Sequence, residues 1–220
     1  MLARMRALAI VVAVAAMGSN DASRFAGAYI PGGAIKTARL GSGAIAAVAE
    51  RAPAFDPSWA SSLLVAGGGG APVELCDRVF HASRPLPLPS GEIVVERGVA
   101  GAVIPGRVRV DELTLDAIDP RTRAVRRLYA TTGFEAHLAA LAGDEIIVYL
   151  VQPGVASLRA IDWRSGRERV IVPSLAPWAH DFAADGAALV VHDRDAQHPE
   201  RETIERIDLA NGNMTRLETK

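Results

Sequence analysis

The side chains best suited to chemistry form a polar cluster near the carboxyl-terminal end of the sequence. The cluster consists of His180, Asp181, His192, Asp193, Arg194 and Asp195. Imidazole nitrogens and carboxylate oxygens ligate divalent metals, and together with an arginine they can hold an anionic ligand. The ordinary alternative is that His180 and Asp181 form hydrogen bonds within the fold, while the later residues belong to a solvated loop. We therefore expect a candidate ligand site, and assign it no metal, cofactor or catalytic residue, since no nucleophile or partner base accompanies it.

The rest of the sequence lacks the short motifs of common enzymes. No G-x-S-x-G, H-E-x-x-H, C-x-x-C or Walker A pattern occurs. Gly67–Gly70 follows an apolar run, but Pro72 and a second apolar run come next rather than a helix, which favours a flexible turn over a phosphate loop. The lone Cys76 lies in an apolar run and cannot form an internal disulfide, so we expect it to be a core residue.

The elements that would position these side chains repeat along the chain. The dipeptide Ile-Asp closes an apolar stretch and opens a polar turn three times, at Ile118-Asp119, Ile161-Asp162 and Ile207-Asp208. Fainter copies at Ile30-Pro31 and Leu75-Cys76 extend the series, so that the second positions lie 45, 43, 43 and 46 residues apart. Hairpins at this period are typical of the four-stranded blades of a β-propeller.

A second kind of segment lies between these hairpins. It contains compact apolar runs centred on Leu64-Val65, Val94-Val95, Ile147-Val148 and Val190-Val191. A continuous apolar strand indicates burial on both faces, as expected for the inner strands of neighbouring blades, whereas the Ile-Asp hairpins alternate apolar and polar residues. Residues 134–142 contain helix-forming residues, but the segment is short and ends at a Gly-Asp turn, so we predict a strand there as well.

The repeats predict an all-β fold, a β-propeller over residues 25–217. Four four-stranded units are expected at about 41–84, 85–128, 129–172 and 173–217, preceded by a half-blade hairpin at 25–40. Two arrangements remain open: a compact set of four blades plus the hairpin, or an incomplete six- to eight-bladed propeller. The longest connection between inner and outer strands contains GVAGAVIPGRVRVDE, and two readings of its length stay open: a recognition loop or simple drift in loop length.

The first 18 residues have the pattern of a secretory signal peptide. Arg4 and Arg6 precede an apolar stretch of eleven residues, and small residues permit cleavage after Ala16 or Gly18. The stretch is too short to span a membrane as a helix, so we expect a periplasmic or secreted chain with no membrane span after signal removal. The formal net charge is −1 and no basic stripe occurs, so we expect no nucleic-acid partner.

The combination of a Gly-containing turn, a valine-rich strand and an Ile-Asp hairpin resembles TolB-like and WD-repeat-like β-propellers over roughly residues 25–217. The inner turns FDPSWASS, PLPSGE, LAGDE and AADGAA do not match in full the Trp-Ser-Pro-Asp-Gly turn of TolB-like repeats. The resemblance implies the propeller architecture. Because propellers host unrelated functions, it implies no single activity.

Repeats without a catalytic constellation favour a non-catalytic secreted or periplasmic propeller that binds a protein or small ligand on its loop face. Two enzymatic alternatives remain. The chain could be the propeller portion of a prolyl-oligopeptidase-like hydrolase, whose α/β-hydrolase domain would lie outside these residues. It could also be a small metal-dependent propeller lactonase or lyase.

Overall fold

A computed structural model describes residues 19–28, 35–51, 61–104, 107–132, 135–152, 154–175, 180–194 and 202–219. These residues form antiparallel β-sheet and one short helix, α1 (Ser19–Ser23). The first eight strands are β1 (Ile35–Arg39), β2 (Ile45–Glu50), β3 (Ser61–Ala66), β4 (Val73–Val79), β5 (Leu86–Pro87), β6 (Ile93–Ile104), β7 (Arg107–Ile118) and β8 (Val125–Thr131). The next eight are β9 (Glu135–Ala142), β10 (Glu145–Gln152), β11 (Val155–Asp162), β12 (Glu168–Leu175), β13 (His180–Asp185), β14 (Ala188–Arg194), β15 (Glu202–Asp208) and β16 (Met214–Thr219).

The strands form four successive four-stranded units, as expected for an incomplete β-propeller. We name them blade 1 (β1–β4), blade 2 (β5–β8), blade 3 (β9–β12) and blade 4 (β13–β16). A single pair, Val79 with Arg97, joins β4 to β6, so blades 1 and 2 share one continuous sheet. The predicted all-β propeller class is confirmed. Residues 135–142, although rich in residues that favour helices, form strand β9 as predicted.

The first blade is grouped differently from the prediction. Residues 35–39, which were expected in a half-blade hairpin, form β1 and pair with β2. Leu64-Val65 therefore lies on the third strand and Cys76 on the fourth. The prediction was wrong because blade 1 has Ala66-Gly67 where the other blades have Ile-Asp. Its turn therefore lacks the dipeptide that marks the end of the third strand in the other blades. The other half of the expected hairpin, residues 29–34, lies outside the described residues.

The second strand of each blade holds the array together. Along β10, Ile146 and Val148 pack into a cluster with blade 2, while Ile147 and Tyr149 pack into a cluster with blade 4. All four side chains are at most 3 % exposed. Because strand side chains alternate between faces, a strand inserted between two blades must be apolar at every position. This explains the continuous apolar runs in the sequence.

The outward face of blade 1 is covered by the N-terminal segment. Phe25 is fully buried against Ile45, Ala47 and Leu64, which belong to the first blade. Asp21 holds this segment in place through two hydrogen bonds donated by Arg39, at 3.0 and 2.8 Å. The first blade therefore has an apolar neighbour on each side.

Each Ile-Asp pair has two structural roles. The isoleucines are buried between blades (Ile118, Ile161 and Ile207). The aspartates begin the turn to the last strand: Asp162 Oδ1 accepts hydrogen bonds from the backbone N–H groups of Arg164 and Ser165 at 3.0 and 2.7 Å. Asp119 and Asp208 accept equivalent pairs. Backbone hydrogen bonds of this kind lower the pKa of Asp119 and Asp162.

A repeated arginine joins consecutive blades. Arg169 donates to both carboxylate oxygens of Glu145 within blade 3, at 2.8 and 2.5 Å, and to the Leu209 carbonyl of blade 4, at 2.8 Å. In blade 2, Arg126 binds Glu92 in the same way and donates to the Trp163 carbonyl of blade 3. Trp163 and Leu209 each follow an Ile-Asp pair, so the planar guanidinium fork links the edge of one blade to the turn of the next.

The long connection between the second and third strands of blade 2 is a β-ribbon. β6 and β7 remain paired from Ile93 with Ile118 out to Ile104 with Arg107. Within the described residues, no helix is both long and apolar enough to cross a membrane.

The turns of blades 3 and 4 offer a matched test of blade packing. Gly166 and Gly212 occupy the same turn position, and each has a φ of 74°. A Cβ at Gly166 would have no neighbour within 4 Å, whereas at Gly212 it would lie 2.1 Å from the Ile171 carbonyl oxygen of blade 3. Both variants place alanine in a left-handed backbone, which lowers the free energy of unfolding by a similar amount. In Gly212→Ala, blades 3 and 4 must also move apart to make room for the methyl group.

We expect Gly166→Ala to lower the free energy of unfolding by about 1 kcal/mol and Gly212→Ala to lower it by at least about 3 kcal/mol. Urea denaturation followed by circular dichroism measures both losses. Equal losses in the two variants would contradict the close contact between blades 3 and 4.

Candidate functional site

The residues of the predicted polar cluster lie at two adjacent strand ends in blade 4. His180 and Asp181 begin β13, while His192 to Arg194 end β14, and the backbones of His180 and His192 are register partners. For His180, Asp181, Asp193 and Arg194 the backbone alone is described, and Asp195 lies outside the described residues. Their role as ligands therefore remains a prediction. Among the described side chains, no group of three or more His, Cys, Asp or Glu could hold a metal ion.

A cavity of about 590 Å³ lies where the first strands of the blades converge. The wall includes Lys36 and Thr37 of β1, Leu86 of β5, Glu135 and residues 137–140 of β9, and Phe182 of β13. In a propeller the first strand of each blade faces the central axis, so the cavity occupies the axial side of this arc of blades. We call it the central cavity.

Aromatic rings form much of the apolar wall of the central cavity. The Tyr149 ring lies 5.0 Å from the Phe182 ring, centroid to centroid, and this contact joins blades 3 and 4. The Phe80 ring lies 5.2 Å from the imidazole of His137. Aromatic and aliphatic walls with a few fixed polar groups are typical of sites that bind small molecules or peptide side chains.

The polar groups of the cavity centre on His137, whose two ring nitrogens each face a carboxylate. Nδ1 lies 3.2 Å from Glu96 Oε2, and Nε2 lies 3.0 Å from Glu135 Oε2. The other Glu96 oxygen accepts the backbone N–H of Leu138 at 2.7 Å. The Glu96 side chain is only 4 % exposed, so these hydrogen bonds are what satisfies a buried carboxylate. Glu96 belongs to blade 2 and His137 to blade 3, so this Glu-His-Glu group also spans the seam between them.

Two opposing effects set the charge of His137. Burial by itself lowers the pKa of the ring, but hydrogen bonds and charges from Glu96, and then from Glu135, outweigh burial and raise the pKa to about 9. At neutral pH the ring is therefore an imidazolium that donates both N–H groups to carboxylates. Because both ring nitrogens are hydrogen-bonded, His137 links blades 2 and 3 and is not available as a free acid or base. We call the group of Glu96, His137 and Glu135 the His137 clasp.

The segment from Phe80 to Leu86 contributes Arg84 to the cavity wall and is held to blade 2 by hydrogen bonds with Glu96. Phe80 N–H donates to the Glu96 carbonyl at 3.0 Å, and the buried Ser83 hydroxyl accepts the Glu96 N–H at 3.1 Å. Lys36 Nζ donates to the Ala82 carbonyl. Arg84 lines the cavity with an exposed side chain that has no hydrogen bond or ion pair within the described part of the chain.

Sequence reasoning missed the Glu-His-Glu group, although the sequence contained a signal for it. Glu96 ends the run Ile93-Val94-Val95, which was predicted to be buried on both faces. A carboxylate at the end of such a strand requires a charged or hydrogen-bonding partner, and the nearest basic residue in the first strand of the following unit is His137. What the sequence could not supply is the register that places the two residues opposite one another.

The His137 clasp predicts a specific dependence of stability on pH. Its folded-state pKa of about 9 lies above the ordinary value of 6.5, so the stabilisation is fully present below about pH 6.5 and is lost as the pH rises through about 9. We expect the free energy of unfolding to fall by at most about 3 kcal/mol over that interval. Urea denaturation at a series of pH values measures the fall.

Two variants show which group causes this decrease in the free energy of unfolding. His137→Gln removes the titrating ring and is expected to flatten the profile, whereas His81→Gln, which changes a neighbouring exposed histidine, is expected to leave the fall intact. A fall that survives in His137→Gln would show that another group causes it.

Comparisons with known proteins bear on the fold. No family model matches the sequence, and no curated protein matches it significantly. TolB from Acinetobacter baumannii is similar in structure, with a TM-score of 0.62 and 14 % identity over 84 % of this chain and 43 % of that chain. A TolB protein from Agrobacterium tumefaciens has a TM-score of 0.56 and 13 % identity, over 84 % of this chain and 64 % of that one. A puromycin hydrolase has a TM-score of 0.58 and 17 % identity, over 85 % of this chain and 29 % of that one.

These similarities define the class of protein. The chain has a β-propeller fold similar to that of TolB and of peptidase propeller domains, as the repeat pattern predicted. At such low identity the comparisons show the fold alone. The chain spans less than two thirds of the length of each of these three structures, so their activities do not transfer to it directly.

Proposed function

We propose that the chain is a non-catalytic binding scaffold that holds a protein segment or small ligand in the central cavity. The observation that carries this proposal is the combination of an aromatic-lined cavity of about 590 Å³ with a histidine engaged at both ring nitrogens. The cavity has the size and wall chemistry of a binding site. His137 is hydrogen-bonded to two carboxylates of the fold, so it is suited to holding the cavity wall in place rather than to transferring protons.

The rigidity of the cavity wall supports the same proposal. The clasp connects blades 2 and 3, and the Tyr149–Phe182 contact connects blades 3 and 4. The segment that carries Arg84 is fixed by two hydrogen bonds with Glu96, one donated by the Phe80 N–H and one accepted by the Ser83 hydroxyl. A site whose walls are already positioned loses less conformational entropy when a ligand binds. One further structure of similar fold, with a TM-score of 0.50, is that of a nidogen/laminin complex, so a chain of this fold does occur in a protein complex.

A photo-crosslinking amino acid placed in the cavity tests whether it is occupied in cells. Ala82 is exposed and lines the cavity, and Val125 is 51 % exposed on the outer strand of blade 2. With p-benzoylphenylalanine at position 82, illumination is expected to yield a discrete adduct, seen as a mass shift. The same group at position 125 serves as the control and is expected to yield none. Equal adducts at both positions, or no adduct at either, would contradict a binding role for the cavity.

The location of the chain is part of the proposal, and it rests on the signal-like residues 1–18, which lie outside the described residues. In the same experiment, the chain is expected in the periplasmic fraction or the medium, with a new amino terminus at Met17 or Ser19. Recovery of the chain in the cytoplasm with residues 1–18 attached would contradict export. Cleavage at either position leaves Phe25, which covers blade 1, on the mature chain.

A second candidate function is the propeller portion of a prolyl-oligopeptidase-like hydrolase. The similarity to puromycin hydrolase, which covers 85 % of this chain but only 29 % of that chain, favours it. The two candidates differ in what the encoded protein contains beyond Lys220. A continuation that includes a G-x-S-x-G motif, together with hydrolysis of a fluorogenic peptide by the full-length product, would favour the hydrolase.

A further inference from the structure

We propose that the β-ribbon of blade 2 is a dimerisation arm, in which the outer edge of β7 pairs with the same edge of a second copy of the chain. The pairing is antiparallel and involves residues 108–112 of both copies. The ribbon leaves the blade at the end opposite to the Ile-Asp turn, and residues 108–112 do not line the central cavity. The inference is therefore independent of the proposed binding function.

The ribbon extends beyond the rest of its own blade. Strand β8 pairs with β7 as far as Leu113, and β4 pairs with β6 at Arg97. Farther out, β6 and β7 pair with one another, to Ile104 with Arg107, and no third strand accompanies them within the described residues. A two-stranded hairpin alone is at best marginally stable in water. Pairing with a further strand would stabilise this arm.

Of the two edges of the ribbon, the edge of β7 is the more specific. In the part of the chain that the structure describes, residues 108–112 have no strand partner on the side away from β6. They read VRVDE, whereas residues 98–104 on the opposite edge read GVAGAVI and contain no charge that could select a partner or a register. Glu112 is bound by Arg127 of β8 at 3.3 Å, so Arg109 and Asp111 are the charges that decide the register.

The order of these charges fits a second copy of the same strand. Directly opposed pairs in an antiparallel sheet alternate between hydrogen-bonded and non-hydrogen-bonded types, so a two-fold axis must pass between a residue and its own copy. An axis at Val110 places Arg109 opposite Asp111 of the second copy, twice. An axis at Arg109 or Asp111 would instead oppose like charges, which destabilises a sheet. The sequence therefore favours one register of self-pairing, centred on Val110.

Charge reversal tests the pairing by sedimentation velocity of the purified full chain over a concentration series. We expect the wild type to pass from monomer to dimer as its concentration rises. Arg109→Glu and Asp111→Arg each oppose like charges at two positions, so each is expected to raise the dissociation constant at least about tenfold. Arg121→Glu, in the exposed turn at the other end of blade 2, is the matched control and is expected to change nothing.

The two single variants also provide a test of complementarity. An equimolar mixture of Arg109→Glu and Asp111→Arg is expected to form dimers as readily as the wild type, because opposite charges face each other again across the interface. The double variant Arg109→Glu/Asp111→Arg is expected to dimerise by itself for the same reason. Circular dichroism verifies that each variant is folded.

Cysteine cross-linking tests the register without a change of charge. In the proposed dimer the two Cα atoms at position 110 are about 5 Å apart, which suits a disulfide, whereas those at position 108 are about 13 Å apart. Under mild oxidation, Val110→Cys is expected to form a covalent dimer and Val108→Cys to form none. The wild-type chain gives the background from the free Cys76.

Four results would overturn the proposal. They are a chain that stays monomeric at every concentration, a dimer that neither charge reversal weakens, failure of the mixed variants to associate, and equal cross-linking at positions 108 and 110. A monomeric chain would exclude the second copy as the partner, whether another protein or none then covers the edge. None of these results bears on the central cavity, whose occupancy is tested separately by the adduct at position 82.

Discussion

Burial of one strand between two neighbouring sheets is the constraint on which the rest of this structure depends. A strand such as β10 has no face left for water, since Ile146 and Val148 pack toward blade 2 while Ile147 and Tyr149 pack toward blade 4. The hydrophobic effect therefore acts between blades as much as within them. In the part of the chain that the structure describes, strand pairing joins two blades at Val79 and Arg97, and side-chain contacts join the other adjacent blades. The bonds from Arg126 to the Trp163 carbonyl and from Arg169 to the Leu209 carbonyl add directional links to apolar contacts that are themselves non-directional.

The sequence predicted much of this fold because the same physical demands recur in each blade. Ile161 must be apolar to fill a seam, and Asp162 must accept backbone N–H groups to reverse the chain, so the pair marks a structural position. In blade 1 the marker disappears, because a Gly-rich turn reverses the chain without a carboxylate. The predicted boundaries of the first blade are consequently displaced, so that its third strand is taken for an inner strand. Pairing partners decide blade membership, and a sequence without its marker does not reveal them.

The site was harder to predict than the fold for a related reason. His180 and His192 are candidates from sequence because other polar residues lie next to them, and their backbones do lie side by side. The groups around the central cavity come instead from all four described blades and are separated by long stretches of chain. Glu96 and His137 meet only through the packing of β6 and β9. Recognition of such a site requires knowledge of which blades are neighbours, whereas a compact motif can be found without it.

The arginine links between blades have a direction that bears on how the array tolerates damage. Arg126 reaches forward from blade 2 to blade 3, and Arg169 reaches forward from blade 3 to blade 4. If blade 4 separates from blade 3, Arg169 loses the Leu209 carbonyl but keeps Glu145, and Ile147 and Tyr149 lose their apolar cover. If blade 3 opens, Arg126 loses its acceptor, Leu209 loses its donor and Glu96 loses its imidazolium. Separation of the third blade therefore breaks links to two neighbours, whereas separation of the fourth blade breaks the links to the third alone among the described blades.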